Sequence, residues 1–169
     1  MLSKLRRFIL NLRHNVKLGA STKIGKNWKV EKIGFLEVSD LCDLGDSGWI
    51  SFASNHSKIY IGSGSYIGNY FLASVGGDLV IEDQVMISDR VYIGDVKHNH
   101  SDKNTPIIMQ GLSVPQNILI GSGSWIGVGA CILPGVKLGK NCVVAANAVV
   151  TKSFPDHSVL AGCPARTIK

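Results

Sequence analysis

An aliphatic side chain recurs at every sixth position in the C-terminal part of the chain. The residues are Ile120, Ile126, Ile132, Leu138, Val144 and Val150. A period of six fits neither a helix face nor a half-buried strand. It is typical of a parallel β-helix, in which each repeat forms one side of a coil and about 18 residues complete the coil. The pattern predicts an all-β solenoid in which these residues point inward and small residues such as Gly121 turn the corners.

The same period appears in shorter runs earlier in the chain. These runs are Leu18, Ile24 and Val30; Ile61, Ile67 and Ala73; and Ile81, Ile87 and Ile93. The phase slips around residues 40–58 and 74–80, so we predict that some coils carry extra residues. The longest break, residues 95–117, is polar and lacks inward aliphatic positions. We predict that it forms a loop ejected from the coil, and long loops in compact domains are usually functional.

The N-terminal segment has a different pattern, basic and amphipathic. Residues 1–30 contain eight Lys or Arg residues and no Asp or Glu. Helical spacing relates Leu2, Leu5, Phe8, Ile9, Leu12 and Val16. We therefore predict a helix over residues 1–17, followed by a β-helix domain over residues 18–169.

This helix is expected mainly to cap the open end of the solenoid. Burial against the first coil would then withdraw Leu5, Phe8 and Leu12 from lipid. The alternative is a weak, charge-driven contact with an anionic membrane. Nucleic-acid binding is not expected, because aromatic residues do not interleave with the basic ones.

The composition predicts the number of domains and the cellular compartment. A chain of 169 residues with 45% hydrophobic residues and 19 glycines suits one domain with a continuous core. The four cysteines show no CxxC spacing, and we find no secretory signal, so we expect reduced thiols in a cytoplasmic protein. Localisation at the inner face of the membrane is the variant that the basic helix would allow. No apolar run is long enough to span a bilayer.

Four segments of the chain resemble a known family. They are Ile120–Gly127 (IGSGSWIG), Ile132–Val136 (ILPGV), and Val149–Lys152 (VVTK) with Ala161–Arg166 (AGCPAR). Over roughly residues 61–169 the chain resembles the hexapeptide-repeat acyltransferases, and within them the sugar O-acetyltransferases of the galactoside, maltose and surface-polysaccharide type. The resemblance implies a left-handed parallel β-helix, a homotrimer, and acetyl-CoA as donor without a required metal. The implied reaction is acetyl transfer to a sugar hydroxyl, in surface-polysaccharide biosynthesis.

The resemblance also implies acceptor-side residues. His98 falls at the position of the family's catalytic histidine, and an imidazole suits the task because it accepts a proton near neutral pH. Asp95 is predicted to orient that ring, as carboxylates do in catalytic triads. His100 and Ser74 are predicted to contact the acceptor, although Ser74 stands where galactoside-type enzymes have Asn.

Donor binding needs a groove for the pantetheine arm and cations for the phosphates. Small residues at Gly127, Ala145 and Ala146 predict a groove whose amides could hydrogen-bond that arm. Family positions near the nucleotide end of CoA are occupied here by Thr151, Lys152 and Arg166. Trp125 is predicted either to form a wall of this groove or to pack between subunits.

Three alternatives stay open at this point. The acceptor could be an amine, which would make the protein an N-acyltransferase acting on an amino sugar or a nucleotide-linked amino sugar. Zinc-dependent hydration, as in the γ-type carbonic anhydrases of the same fold, would need His56 beside His98 and His100 as ligands. The chain could also be a structural trimer without catalytic activity.

Overall fold

The chain folds into a short α-helix followed by a parallel β-helix. The computed structural model describes residues 2–11, 15–31 and 33–168. Each coil contributes one strand to each of three sheets, which we name A, B and C in the order the chain visits them. Sheets A and C have six strands each, and sheet B has eight because it includes the last, incomplete coil. The predicted β-solenoid is confirmed.

The elements follow one another in chain order. Helix α1 spans Leu2–Asn11, and the six complete coils are β1 (Val16–Leu18), β2 (Lys23–Ile24) and β3 (Lys29–Val30); β4 (Phe35–Val38), β5 (Asp43–Leu44) and β6 (Trp49–Phe52); β7 (Lys58–Ile61), β8 (Tyr66–Ile67) and β9 (Leu72–Val75); β10 (Asp78–Ile81), β11 (Met86–Ile87) and β12 (Tyr92–Gly94); β13 (Ile118–Ile120), β14 (Trp125–Ile126) and β15 (Cys131–Ile132); β16 (Lys137–Leu138), β17 (Val143–Val144) and β18 (Val149–Val150). The last two strands are β19 (Val159–Gly162) and β20 (Ala165–Thr167), which pair antiparallel. A 3₁₀ helix spans Ile107–Met109.

The residues at the six-residue spacing form the core. All six from Ile120 to Val150 have no exposed surface, and the earlier runs are 0–5% exposed. In-register parallel pairing stacks each inward side chain on its equivalent in the next coil, for example Ile126 on Val144. Removing this apolar surface from water is the main stabilising term of the fold.

Extra residues enter the coils at one corner. In-register partners in sheet A lie 20, 23, 20, 39 and 18 residues apart along the series Leu18, Val38, Ile61, Ile81, Ile120 and Leu138. The steps from sheet A to B and from B to C stay at six residues in these coils, so the insertions lie where sheet C leads into sheet A of the next coil. We name this the C–A corner. The expected loss of phase over residues 40–58 is therefore too broad, because Leu44 and Ile50 still point inward.

Helix α1 is shorter than the sequence predicted and presents a different face. The described helix spans Leu2–Asn11, and Val16–Leu18, which the prediction partly assigned to the helix, form strand β1, whose pairing with β4 satisfies their backbone groups. The Ser3 hydroxyl accepts a hydrogen bond from the Ile24 N–H at 2.9 Å, and Leu10 packs against the core.

The opposite side of α1 faces away from the coil. Leu5 and Phe8 are 55% and 61% exposed, so their expected burial against the first coil is wrong. Leu12, the third residue of that expectation, lies outside the described residues. Within the described part of the chain, no helix is long and apolar enough to cross a bilayer.

Candidate active site

The loop of residues 95–117 leaves the solenoid at the C–A corner after β12 and returns at β13. Its two arms pair around His98, whose backbone forms an antiparallel bridge with Leu112. The Ser113 N–H donates to the Lys97 carbonyl at 2.8 Å, and the Asn99 N–H donates to the Gly111 carbonyl at 3.0 Å. The loop is therefore internally braced, and the pairing of its two arms fixes the backbone of His98.

A cavity of about 380 Å³ opens between this loop and the outer face of sheet C. Its lining residues are Ser74, Tyr92, Val96, Lys97, His98, Leu112, Leu133 and Pro134. His98 is thus brought together with Ser74, as predicted for an acceptor site. The sequence analysis did not identify Tyr92, Leu112 or Leu133. The outward positions of the sheet C strands, read at a period of two, could have pointed to Tyr92 and Leu133.

Ser74 and Thr151 belong to one row on the outer face of sheet C. Ser74 pairs with Gly94 in the next coil, and the row continues through Leu133 to Thr151, because Ile93 pairs with Ile132 and Ile132 with Val150. Thr151 therefore lies on the side of the cavity that faces the C-terminal end of the solenoid. His100 is exposed two residues beyond His98 and lines an adjoining, smaller depression of about 190 Å³ within Lys97–Ser101.

Within the described residues, the Asp95 carboxylate is hydrogen-bonded to the backbone and not to His98. Its side chain is fully buried, and its two carboxylate oxygens accept hydrogen bonds from the Gly76 N–H at 2.6 Å and the Gly77 N–H at 2.8 Å. Burial raises the pKa of the Asp95 carboxyl, and the bonds from Gly76 and Gly77 partly offset that effect. The predicted orienting role therefore has no supporting contact in this structure, where the carboxylate instead binds two backbone donors of the preceding C–A corner, and it stays a prediction.

Most of the predicted donor-binding residues lie at the corner between sheets B and C, which we name the B–C corner. Gly127 lies directly under Ala145 and Ala146, and a Cβ at Gly127 would come within 2.7 Å of the Ala146 nitrogen. The Ala145 N–H donates to the Leu160 carbonyl, and Ala161 in turn pairs with Arg166 of β20. Gly127, Ala145 and the exposed Arg166 therefore line successive levels of this corner.

Lys152 and Trp125 lie away from the B–C corner. Lys152 follows β18 at the C–A corner, where its Nζ lies 5.5 Å from the centre of the Phe154 ring. Trp125 is 49% exposed on the outer face of sheet B, and its indole N–H donates to the Ser88 hydroxyl at 3.1 Å. One chain thus presents Lys152 at the C–A corner, where the loop of His98 also lies, and Arg166 at the B–C corner.

The histidines do not assemble a metal site. Within residues 2–11, 15–31 and 33–168, no group of three or more His, Cys, Asp or Glu side chains is placed to hold a metal ion. His56, which a zinc site would need, lies in the turn between β6 and β7 and is exposed.

Comparison with known proteins agrees with this architecture. The family model described as bacterial transferase hexapeptide (six repeats) matches residues 117–152, which hold the most regular coils. The galactoside O-acetyltransferase of Escherichia coli (strain K12) is 34% identical over 148 residues, covering 83% of this chain and 70% of that protein. The chain belongs to the hexapeptide-repeat transferase family.

Further members of this family extend the likeness. WbbJ of Escherichia coli (strain K12), a putative lipopolysaccharide biosynthesis O-acetyl transferase, is 34% identical over 124 residues, covering 72% of this chain and 61% of that protein. The chain spans 55–61% of the length of four curated relatives that it matches. A solved structure of a variant of AntD, an N-acyltransferase from Bacillus cereus in complex with dTDP and coenzyme A, superposes with a TM-score of 0.81 over 96% of this chain and 86% of that chain at 20% identity. That likeness demonstrates a shared fold.

Proposed function

We propose that the protein transfers an acetyl group from acetyl-CoA to a hydroxyl group of a sugar, with His98 as the general base. The observation that carries the proposal is the cavity between the loop and sheet C, where His98 and Ser74 line one space beside a rigid wall of strands. Family relatives that are named as sugar O-acetyltransferases support the same reaction class.

The chemistry needs a base and a carbonyl within reach of one hydroxyl. An imidazole nitrogen of His98 takes the hydroxyl proton while the oxygen attacks the thioester carbonyl and forms a tetrahedral oxyanion. Collapse of that intermediate breaks the carbon–sulfur bond, and the imidazolium returns its proton to the departing thiolate of CoA. The donor is already activated, so no covalent enzyme intermediate is required. The braced loop supports the mechanism because a positioned base contributes more than a mobile one.

The two-corner arrangement of the donor residues supports assembly as a homotrimer. We propose that His98 of one copy faces the B–C corner of the next, where Gly127, Ala145 and Ala146 form the groove for the pantetheine arm. Arg166 and Lys152 would then contact CoA phosphates, Arg as a planar fork and Lys as a point charge. A closed ring repeats the same contact three times, as cyclic symmetry requires.

We further propose that the natural acceptor belongs to surface-polysaccharide biosynthesis, as the name of WbbJ suggests for that relative. The alternative is transfer to the amine of an amino sugar, free or nucleotide-linked. The structure of AntD, an N-acyltransferase in complex with dTDP, is the reason to test this alternative. A sugar site at the bilayer would also be consistent with weak membrane contact through α1, whose outward face combines Lys4 with Leu5 and Phe8.

The test is an acetyl-transfer assay that reads the release of the CoA thiol. Acetyl-CoA would be offered with p-nitrophenyl β-galactoside and β-glucoside, and with galactosamine and glucosamine as amine acceptors. Sugar-dependent thiol release and a mass increase of one acetyl group on a hydroxyl support O-acetylation, whereas acetylation confined to the amino sugars selects the alternative. Absence of release with every acceptor, at saturating acetyl-CoA, would contradict the proposed activity.

A further inference from the structure

The outer face of β12 carries a phenol that the proposed mechanism does not use. Tyr92 points away from the core, between Leu72 of the preceding coil and Cys131 of the following one. It is partly buried, and it lines the same cavity as His98 and Ser74. The ring therefore forms part of the floor of the candidate acceptor site.

Gly94 allows the ring to lie there. Gly94 is two residues after Tyr92 on the same face of the strand, and a Cβ at Gly94 would collide with the Tyr92 hydroxyl oxygen. The absence of a side chain at Gly94 thus lets the phenol lie flat along the strand toward the loop. Any other residue at this position would displace the hydroxyl from the cavity that Tyr92 lines with His98 and Ser74.

The Tyr92 hydroxyl has no internal hydrogen-bond partner. Among the residues that the structure describes, no side chain or backbone group pairs with this oxygen, and the oxygen is not sealed from solvent. Other half-exposed groups of the solenoid are engaged, as when the Ser39 hydroxyl donates to the Tyr60 hydroxyl at 3.1 Å. A partly buried phenol that opens into a cavity without a partner is available to a ligand.

We propose that Tyr92 is an acceptor-binding residue, whose ring packs against the sugar and whose hydroxyl donates a hydrogen bond to a sugar oxygen. The proposal rests on the proposed sugar acetylation, because it assigns a contact in that same site. A sugar suits the surface well, since it offers an apolar ring face to an aromatic side chain and hydroxyl oxygens to a donor.

The protonation state fits a donor. Burial raises the pKa of the Tyr92 hydroxyl above its ordinary value, and the nearby Cys131 and Asp95 act in the same direction. The phenol therefore keeps its proton throughout the neutral and mildly alkaline range. Tyr92 consequently does not compete with His98 for the role of base.

The first experiment compares three variants with the acceptor that the wild-type protein acetylates fastest in the glycoside panel. Tyr92→Phe removes only the hydroxyl, and we expect the KM for the sugar to rise about three- to tenfold, the effect of one lost hydrogen bond, with the KM for acetyl-CoA unchanged. Gly94→Ala should raise the same KM by at least as much, because the added methyl displaces the hydroxyl. Tyr60→Phe, on the outer face of sheet A, is the matched control and should leave both KM values as they are.

The second experiment needs no turnover. All four tyrosines would be replaced by 3-fluorotyrosine during expression. The ¹⁹F resonance of residue 92 would be assigned by its loss in Tyr92→Phe. Methyl β-galactoside, methyl β-glucoside and glucosamine, each added at saturating concentration, are expected to shift the Tyr92 signal and to leave the Tyr60 signal in place.

The two experiments separate the two proposals. An unchanged KM for the sugar in Tyr92→Phe, with normal acetylation by the wild-type protein, overturns the role of Tyr92 and leaves the activity standing. If no sugar is acetylated, the proposed activity fails, and the ¹⁹F signal alone decides the contact. A Tyr92 resonance that none of the sugars moves contradicts the inference in either case.

Discussion

Asp95 and His98 are three residues apart in sequence, yet the structure gives them different surroundings. Asp95 is the buried first residue of the loop, and its carboxylate closes the turn at Gly76 and Gly77. His98 stands on the exposed arm of the loop and faces the cavity. At the scale of single residues, we therefore expect replacement of Asp95 to lower stability and replacement of His98 to lower turnover.

Replacing Asp95 by Ala tests the structural role. The change leaves the N–H groups of Gly76 and Gly77 without their acceptor, and each unsatisfied buried donor costs about 1–3 kcal/mol. We expect the free energy of unfolding, measured by denaturant titration, to fall by about 2–4 kcal/mol. The turnover number well below the melting temperature should change far less than in a His98 variant. A loss of turnover as large as that of His98→Ala, with normal stability, would restore Asp95 to the catalytic machinery.

The raised pKa of Asp95 gives a pH dependence with a definite sign. The folded protein favours the neutral carboxyl more than the unfolded chain does, so the folded state binds the proton more tightly. The contribution of Asp95 to stability is therefore complete below the ordinary aspartate pKa of about 4 and is lost as the pH rises through the higher folded-state pKa. Denaturant titrations over this range should show the decline in the wild-type protein and not in Asp95→Asn.

Replacing His98 by Ala tests the base. We expect turnover to fall by roughly 10²- to 10⁴-fold, the usual contribution of a positioned general base, with the affinity for CoA unchanged in calorimetry. His100→Ala is the matched control, because His100 is exposed on the same arm and outside the main cavity. Wild-type turnover in His98→Ala would remove His98 from the mechanism.

At the scale of elements, α1 presents two faces with separate predicted effects. Leu10 packs on the first coil, whereas Leu5 and Phe8 face outward. Leu10→Ser should lower the melting temperature and leave vesicle binding intact. The double change Leu5→Ser and Phe8→Ser should leave the melting temperature unchanged and weaken sedimentation with anionic vesicles.

Salt distinguishes the force behind that vesicle binding. Each basic residue near an anionic bilayer contributes about 1 kcal/mol, and the attraction fades as ionic strength rises. We expect full-length protein to sediment with phosphatidylserine vesicles at low salt and with neutral vesicles hardly at all. Sedimentation with neutral vesicles at high salt would mean that apolar insertion dominates instead.

The two corners of the solenoid are predicted to share the binding of CoA. Lys152→Ala and Arg166→Ala should each weaken CoA binding in calorimetry, and the difference from wild type should shrink as salt is added, because exposed charge contacts are screened. Lys58→Ala, an exposed lysine at the start of β7, is the control. A change confined to the affinity for the acceptor would contradict the assignment of these corners to the donor.

At the scale of the whole molecule, the shared site predicts both mass and complementation. Sedimentation should give three times the mass of the chain. Mixed trimers of His98→Ala and Arg166→Ala chains should recover activity, because an interface between the two variants can combine an intact His98 with an intact Arg166. The physical reason is that one chain holds these residues at different corners of the coil.

Two outcomes of these experiments would contradict the shared site or the trimer. Mixed trimers, verified by mass, with no more activity than the average of the two variants would indicate that each site lies within one chain. An active monomer at nanomolar concentration would contradict the trimer itself.

Local pattern was enough to predict the solenoid. A buried position at every sixth residue leaves little freedom, because each inward side chain must stack on its equivalent in the next coil. The sequence therefore predicted the core from Ile120 to Val150 and the ejection of residues 95–117. It also singled out His98 and Ser74, through resemblance to a family, and the structure brings both to one cavity.

Tertiary structure decided what the polar and exposed residues contact. Sequence spacing suggested that Asp95 serves His98, but stacking of the coils places the N–H groups of Gly76 and Gly77 against it first. The face of α1 that packs on the coil, and the place of Tyr92 in the cavity, likewise depend on contacts between residues far apart in the chain. Periodicity reports whether a side chain points inward or outward, whereas the partner of an outward side chain depends on which coil and which corner lie beside it.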